Sequence, residues 1–121
     1  MELAYWIVAA VLALMYLFAG GKKLAQSQEQ LRPMMGWVDR VPMPLVRTIG
    51  VLEILGAAGL ILPPATGIAP WLALASAIGL AVIQIGGIVV HLSRGEAKVI
   101  GLNLALLALA IVAAWLSTSW F

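Results

Sequence analysis

Four long apolar stretches divide this chain, and the breaks between them carry nearly all of its polarity. The first runs from Leu3 to about Gly21. The second starts at Pro44 and stops at Pro63-Pro64. The third runs from about Pro70 to Leu92, and the fourth from about Val99 to Ser117. Each approaches the roughly 20 mostly apolar residues needed to cross about 30 Å of hydrocarbon. Such continuous apolar segments, and so few of them, fit helices and not a membrane barrel. The predicted fold is all-α: a single integral membrane domain over residues 1–121, built as a four-helix bundle.

The breaks carry helix punctuation. Gly20-Gly21 followed by Lys22-Lys23 reads as the end of the first span, with cations at its C-terminal end. Pro44 suits the first turn of a helix. Pro63-Pro64, Gly67 and Pro70 read as a short uncharged turn, and Ser93 to Lys98 as a short polar one. The first 21 residues carry Glu2 where a secretory leader would be basic, so they read as a retained span. Between Ala25 and Met43 lies the one sizeable polar region. Gln26, Gln28, Glu29, Gln30 and Arg32 look solvated, Pro33 breaks the segment, and Met34, Met35, Trp37 and Val38 form an apolar stripe beside Asp39 and Arg40. This is either a short amphipathic helix at the interface or an ordered polar loop.

Composition supports a membrane class. Of 121 residues, 64% are hydrophobic and 10% charged, against ~45–50% and ~25% for soluble domains. With no cysteine in the sequence, disulfides, thiolate metal sites and thiol redox chemistry are excluded, so a redox role requires a bound cofactor or a partner. The excess of seven basic over five acidic residues reports topology and not nucleic-acid binding. All Lys and Arg fall in or beside the first and third connections: Lys22, Lys23, Arg32, Arg40 and Arg47, then Arg94 and Lys98. The positive-inside rule puts these connections in the cytoplasm and both termini outside an inner membrane. Lys22 and Lys23 are then topology anchors. Tyr5, Trp6, Trp71, Trp115 and Trp120 fall at the outer interface as an aromatic belt. Small residues four apart, Ala9/Ala13, Ala73/Ala77/Ala81, Ala75/Gly79 and Ala110/Ala114, predict close helix packing. A chain this small also fits a homo-oligomer or a larger complex.

The chemistry lies in the polar residues within the spans. Glu53 is nine residues after Pro44 and ten before Pro63, about 14 Å from the inner surface at ~1.5 Å per residue. A carboxyl at that depth costs ~2.5–3.5 kcal/mol on insertion scales, and it should face the bundle interior. Gly50 and Gly56 flank it and leave room for a helix, a water or a ligand. Gln84, Gly87 and His91 share one face of the third span. Tyr16, Arg47, Glu53, Gln84, His91 and Asn103 all fall in the inner half. Two readings stand. The cluster is hydrogen-bonding glue worth ~0.6 kcal/mol per bond, or it is a pocket open to the cytoplasm. In the pocket, Glu53 and His91 do acid–base work, while Gln84, Asn103, Tyr16 and Arg47 bind the ligand. One His and one deep carboxylate fall short of the usual three protein ligands of a metal, so no metal site is expected.

These residues resemble the DoxX family, specifically its short DoxX-like members. The likeness rests on Ala19-Gly20-Gly21-Lys22-Lys23-Leu24, on Arg47-Thr48-Ile49-Gly50-Val51-Leu52-Glu53-Ile54-Leu55-Gly56 and Gly59 to Pro63, on Pro70-Trp71-Leu72-Ala73, on His91-Leu92-Ser93-Arg94-Gly95-Glu96, and on Asn103. It spans nearly the whole chain and implies a four-helix membrane bundle. Some members look like membrane subunits of quinone-linked sulfur oxidation or of oxidative-stress complexes, while eukaryotic relatives act as cargo receptors or assembly chaperones. A fold does not settle a function. The leading expectation is a lipophilic, quinone-like ligand held in the inner half of the bundle, serving a membrane redox partner. The alternatives are a stand-alone acid–base enzyme, either an isomerase or a hydrolase, acting on an apolar substrate, and a non-catalytic scaffold or chaperone.

Overall fold

The computed structural model describes residues 2–33, 35–39 and 41–118. Four long helices form the bundle: α1 (Glu2–Ala25), α3 (Met43–Thr66), α4 (Leu72–Ser93) and α5 (Gly101–Ser117), with a four-residue helix α2 (Gln28–Leu31) after α1. Three of them are long and apolar enough to cross a membrane, and α5 is a shorter apolar helix. At 17 residues, α5 spans about 25 Å, the lower limit for a crossing. Helix α1 packs on α3 and α5, and α4 packs on α3 and α5, so the helices form a ring in the order α1–α3–α4–α5. Lys22, Lys23, Arg32, Arg47, Arg94 and Lys98 gather at one end of the ring, and the turn from Gly67 to Trp71 closes the other without a charge.

The pattern of small residues is partly confirmed. Ala9, Ala13, Ala73, Ala77 and Ala110 are buried in the core, with Leu12, Leu60 and Leu80 between them. Ala75 and Gly79 instead lie on an exposed face, and a side chain on Gly79 would meet nothing within 4 Å.

The expected stop at Pro63-Pro64 is a correction. Helix α3 runs through both prolines to Thr66 and ends where Gly67 turns left-handed at φ 73°, a backbone state open to glycine. Pro64 has no N–H, so the Leu60 carbonyl four residues earlier loses its helical donor. Tyr5 of α1 replaces it, its hydroxyl donating to Leu60 O at 2.6 Å. Tyr5 is therefore fully buried and is not part of an aromatic belt. Trp6 packs edge-on against it, Trp71 and Trp115 are exposed, and Trp120 lies outside the described residues. We expect Tyr5→Phe to lower stability by about 1–3 kcal/mol by stranding a buried carbonyl. Thermal unfolding in detergent measures this, and adding Pro64→Ala, which restores an N–H, should recover most of the loss.

The segment between α1 and α3 is neither one amphipathic helix nor a purely polar ordered loop, since it carries a short helix, a 3₁₀ turn and a small apolar core. Ser27 caps α2 in a reciprocal box with Gln30, which satisfies two orphan N–H groups. A 3₁₀ turn follows at Gly36–Asp39. Leu31, Val38 and Val46 form a small buried core of their own, with Met35, Trp37, Val41 and Met43 packed around it. Met34 and Arg40 lie outside the described residues. The apolar stripe thus folds inward as a cap over the charged end of the bundle.

Candidate functional site

Helix α1 does not end at Gly20-Gly21 but continues to Ala25, and this sets the site. The α1 and α3 backbones cross at Gly20 and Gly50: a Cβ on Gly20 would stand 2.8 Å from Gly50 O, and one on Gly50 would stand 3.0 Å from Gly20 O. Three residues beyond each glycine comes a charge, Lys23 on α1 and Glu53 on α3. Side chains lean toward the N-terminus of their own helix. On these antiparallel helices the two lean toward each other. Lys23 Nζ meets Glu53 Oε1 at 2.6 Å, with the side chains 7% and 3% exposed. The deep carboxyl thus faces the bundle interior, as expected, and has a cationic partner there. Lys23, expected only as a topology anchor, is buried in this pair. Its ammonium also faces the Trp37 ring, 5.9 Å from the centroid, a cation–π distance.

A second polar chain crosses the other helices. Asn103 Nδ2 on α5 donates to Gln84 Oε1 on α4 at 2.9 Å. Gln84 Nε2 in turn donates to the Tyr16 hydroxyl on α1 at 2.8 Å. Gly87 makes room for this chain, since a Cβ there would lie 2.9 Å from Asn103 Nδ2. The Tyr16 oxygen is filled as an acceptor, while its own proton has no acceptor among the described residues.

The ion pair and the amide chain face a common cavity of about 1070 Å³, lined by residues from all four long helices and by the cap. Its walls are mostly apolar, including Met15, Phe18, Ile49, Ile83 and Leu106. Trp37 and Met35 contribute from the cap, and Tyr16, Lys23, Glu53, Gln84 and Asn103 supply the polar groups.

Of the residues singled out from the sequence, Glu53, Gln84, Asn103, Tyr16 and His91 all line this cavity. Among the described residues no hydrogen bond or ion pair joins His91 to Glu53. Its Nδ1 lies 3.0 Å from Glu96 Oε1 at the charged rim, and Arg94 flanks the same carboxylate at 3.6 Å. Arg47 is outside the cavity wall. Its guanidinium donates to the Lys23 and Gln26 carbonyls, closing the C-terminal turn of α1 and fixing the backbone that carries Lys23. Lys23 and Trp37 are among the lining residues that reading the sequence missed. The matched spacing, Gly20/Lys23 on one span and Gly50/Glu53 on the next, was the available signal.

Membrane-length helices enclosing a polar site define a class, that of small multi-pass helical membrane proteins with an internal pocket. More narrowly, the chain belongs to the DoxX-like family, whose model matches residues 7–113. No curated protein and no solved structure matches it.

Proposed function

We propose that this DoxX-like protein holds a lipophilic, quinone-like ligand between its helices, as a subunit of a redox or oxidative-stress system in the cell inner membrane. The observation that carries this reading is the cavity. It is as large as sites that take small molecules, with apolar walls and a few convergent polar groups. The residues fit a quinone head. The Tyr16 hydroxyl has a proton to donate to a ring carbonyl, and Trp37, Met35 and Phe18 supply flat or pliant apolar surface for a ring and its tail. A bound quinone would supply the electron chemistry. The protein's residues orient it and keep water from it. The positive-inside rule places the charged end in the cytoplasm and the turn at Gly67 to Trp71 outside.

The test is purification in mild detergent, followed by mass spectrometry of extracted small molecules, visible absorption, and identification of co-purifying proteins. The reading predicts a stoichiometric lipophile and a membrane redox partner. A protein that carries no lipophile, fails to bind added quinone and brings down no redox protein would contradict it.

A further inference from the structure

We propose that the cavity is filled sideways from the bilayer, through the seam between α1 and α5, by a neutral lipophile whose head offers a hydrogen-bond acceptor to Tyr16. This rests on the ligand-holding reading above and adds the route and the head chemistry.

The route follows from residues that belong to two surfaces at once. Leu14 and Phe18 on α1 and Leu102 on α5 line the cavity, yet they are 70%, 60% and 59% exposed, far more than the walls of a closed void. The cavity wall therefore reaches the lipid-facing surface where these adjacent helices meet. Toward the charged end, the cap covers the cavity with Met35, Trp37 and Val41, and Arg32, His91 and Glu96 rim it. An apolar molecule dissolved in hydrocarbon meets leucine and phenylalanine at the seam. At the rim it would meet charges.

The head chemistry follows from charge and hydrogen-bond balance. Lys23 and Glu53 neutralise each other inside the wall. An anionic head would compete with Glu53 for Lys23 and leave a buried carboxylate alone, which is costly. The amide chain runs from Asn103 through Gln84 to Tyr16. It ends on a buried hydroxyl that faces the cavity with its proton unassigned among the described residues. A carbonyl or ether oxygen on the ligand completes it.

The absence of native cysteine makes the test clean. Leu14→Cys, Leu102→Cys and, as a control, Leu104→Cys are reconstituted into vesicles and modified with a bulky maleimide. Leu104 is exposed on the same helix as Leu102 but is not part of the cavity wall. The probe is a decyl-substituted benzoquinone added to the vesicles, followed by quenching of Trp37 fluorescence, with Trp37→Phe defining the signal. Modification at Leu14 or Leu102 should slow uptake by about tenfold or more, an added barrier of ~1.4 kcal/mol, while modification at Leu104 leaves the rate within about twofold. Equal slowing at all three positions, or none at Leu14 and Leu102, would overturn the route. Unmodified protein that never takes up the quinone would remove the ligand-holding reading itself, a failure separable from the first.

For the head, decylbenzene and stearate compete against the quinone. The unmodified protein should prefer the quinone to either by about tenfold, and Tyr16→Phe should erase its preference over decylbenzene. Stearate binding as tightly as the quinone, or a preference that survives in Tyr16→Phe, would overturn the neutral, acceptor-bearing head.

Discussion

Lys23→Met is expected to destabilise the protein by about 3–5 kcal/mol, because it leaves Glu53 as an unpaired buried carboxyl. The two partners are not equivalent. Glu53 sits in the middle of α3 on a short stem, its side chain only 3% exposed. Lys23 is two residues from the end of α1 and has a long flexible stem that can carry its ammonium out toward the charged end. Glu53→Gln should therefore cost clearly less than Lys23→Met. The double variant Lys23→Met/Glu53→Gln should recover most of the loss of the worse single change, since an absent pair leaves no stranded charge. Thermal unfolding of the four proteins in one detergent gives the comparison. Equal, small effects from both single variants would mean that the pair is solvated and that the site is wetter than described.

The second large effect is expected at the crossing that creates the pair. Gly20→Ala and Gly50→Ala each place a methyl against backbone oxygen of the opposing helix, at 2.8 and 3.0 Å. Backbone cannot swing aside as a side chain can, so α1 and α3 must separate, and overpacking of this kind costs about 1–3 kcal/mol. Separation also lengthens the Lys23–Glu53 contact three residues further on, so the loss should reach the upper part of that range. Gly79→Ala is the control. Its Cβ would meet nothing within 4 Å, and alanine favours a helix over glycine by about 1 kcal/mol, so it should be neutral or stabilising. If the three alanine variants melt together, the close crossing does not hold the bundle.

The spans were legible because hydropathy is a property of consecutive residues, and lipid admits few backbone solutions. Glu53 was legible for a related reason: a carboxyl at that depth is conspicuous whatever surrounds it. Its partner was hidden by a local rule. Gly20-Gly21 before two lysines is ordinary helix-ending punctuation, and nothing local says that α3 will press its own glycine against Gly20 and keep α1 helical through Lys23. Pro63-Pro64 misled in the same way. The broken hydrogen bond was foreseeable, but its replacement by Tyr5, 55 residues away, belongs to the packing. Tyr16, Gln84 and Asn103 shared a depth and proved to be one chain. Arg47 shared that depth as well and proved to bind the backbone of α1, because depth says nothing about the direction a long side chain takes.

The charged half of the bundle surrounds the proposed ligand cavity, walled by Lys23–Glu53 and by Tyr16–Gln84–Asn103. A density map of the protein, taken from the membrane into lipid nanodiscs without delipidation, tests it most directly. One elongated density is expected to start at the Tyr16 hydroxyl, pass Trp37 and leave toward Leu102, with Lys23 and Glu53 still in contact. Helices closed over the amide chain, with no space between the α1–α3 pair and the α4–α5 pair, would contradict it.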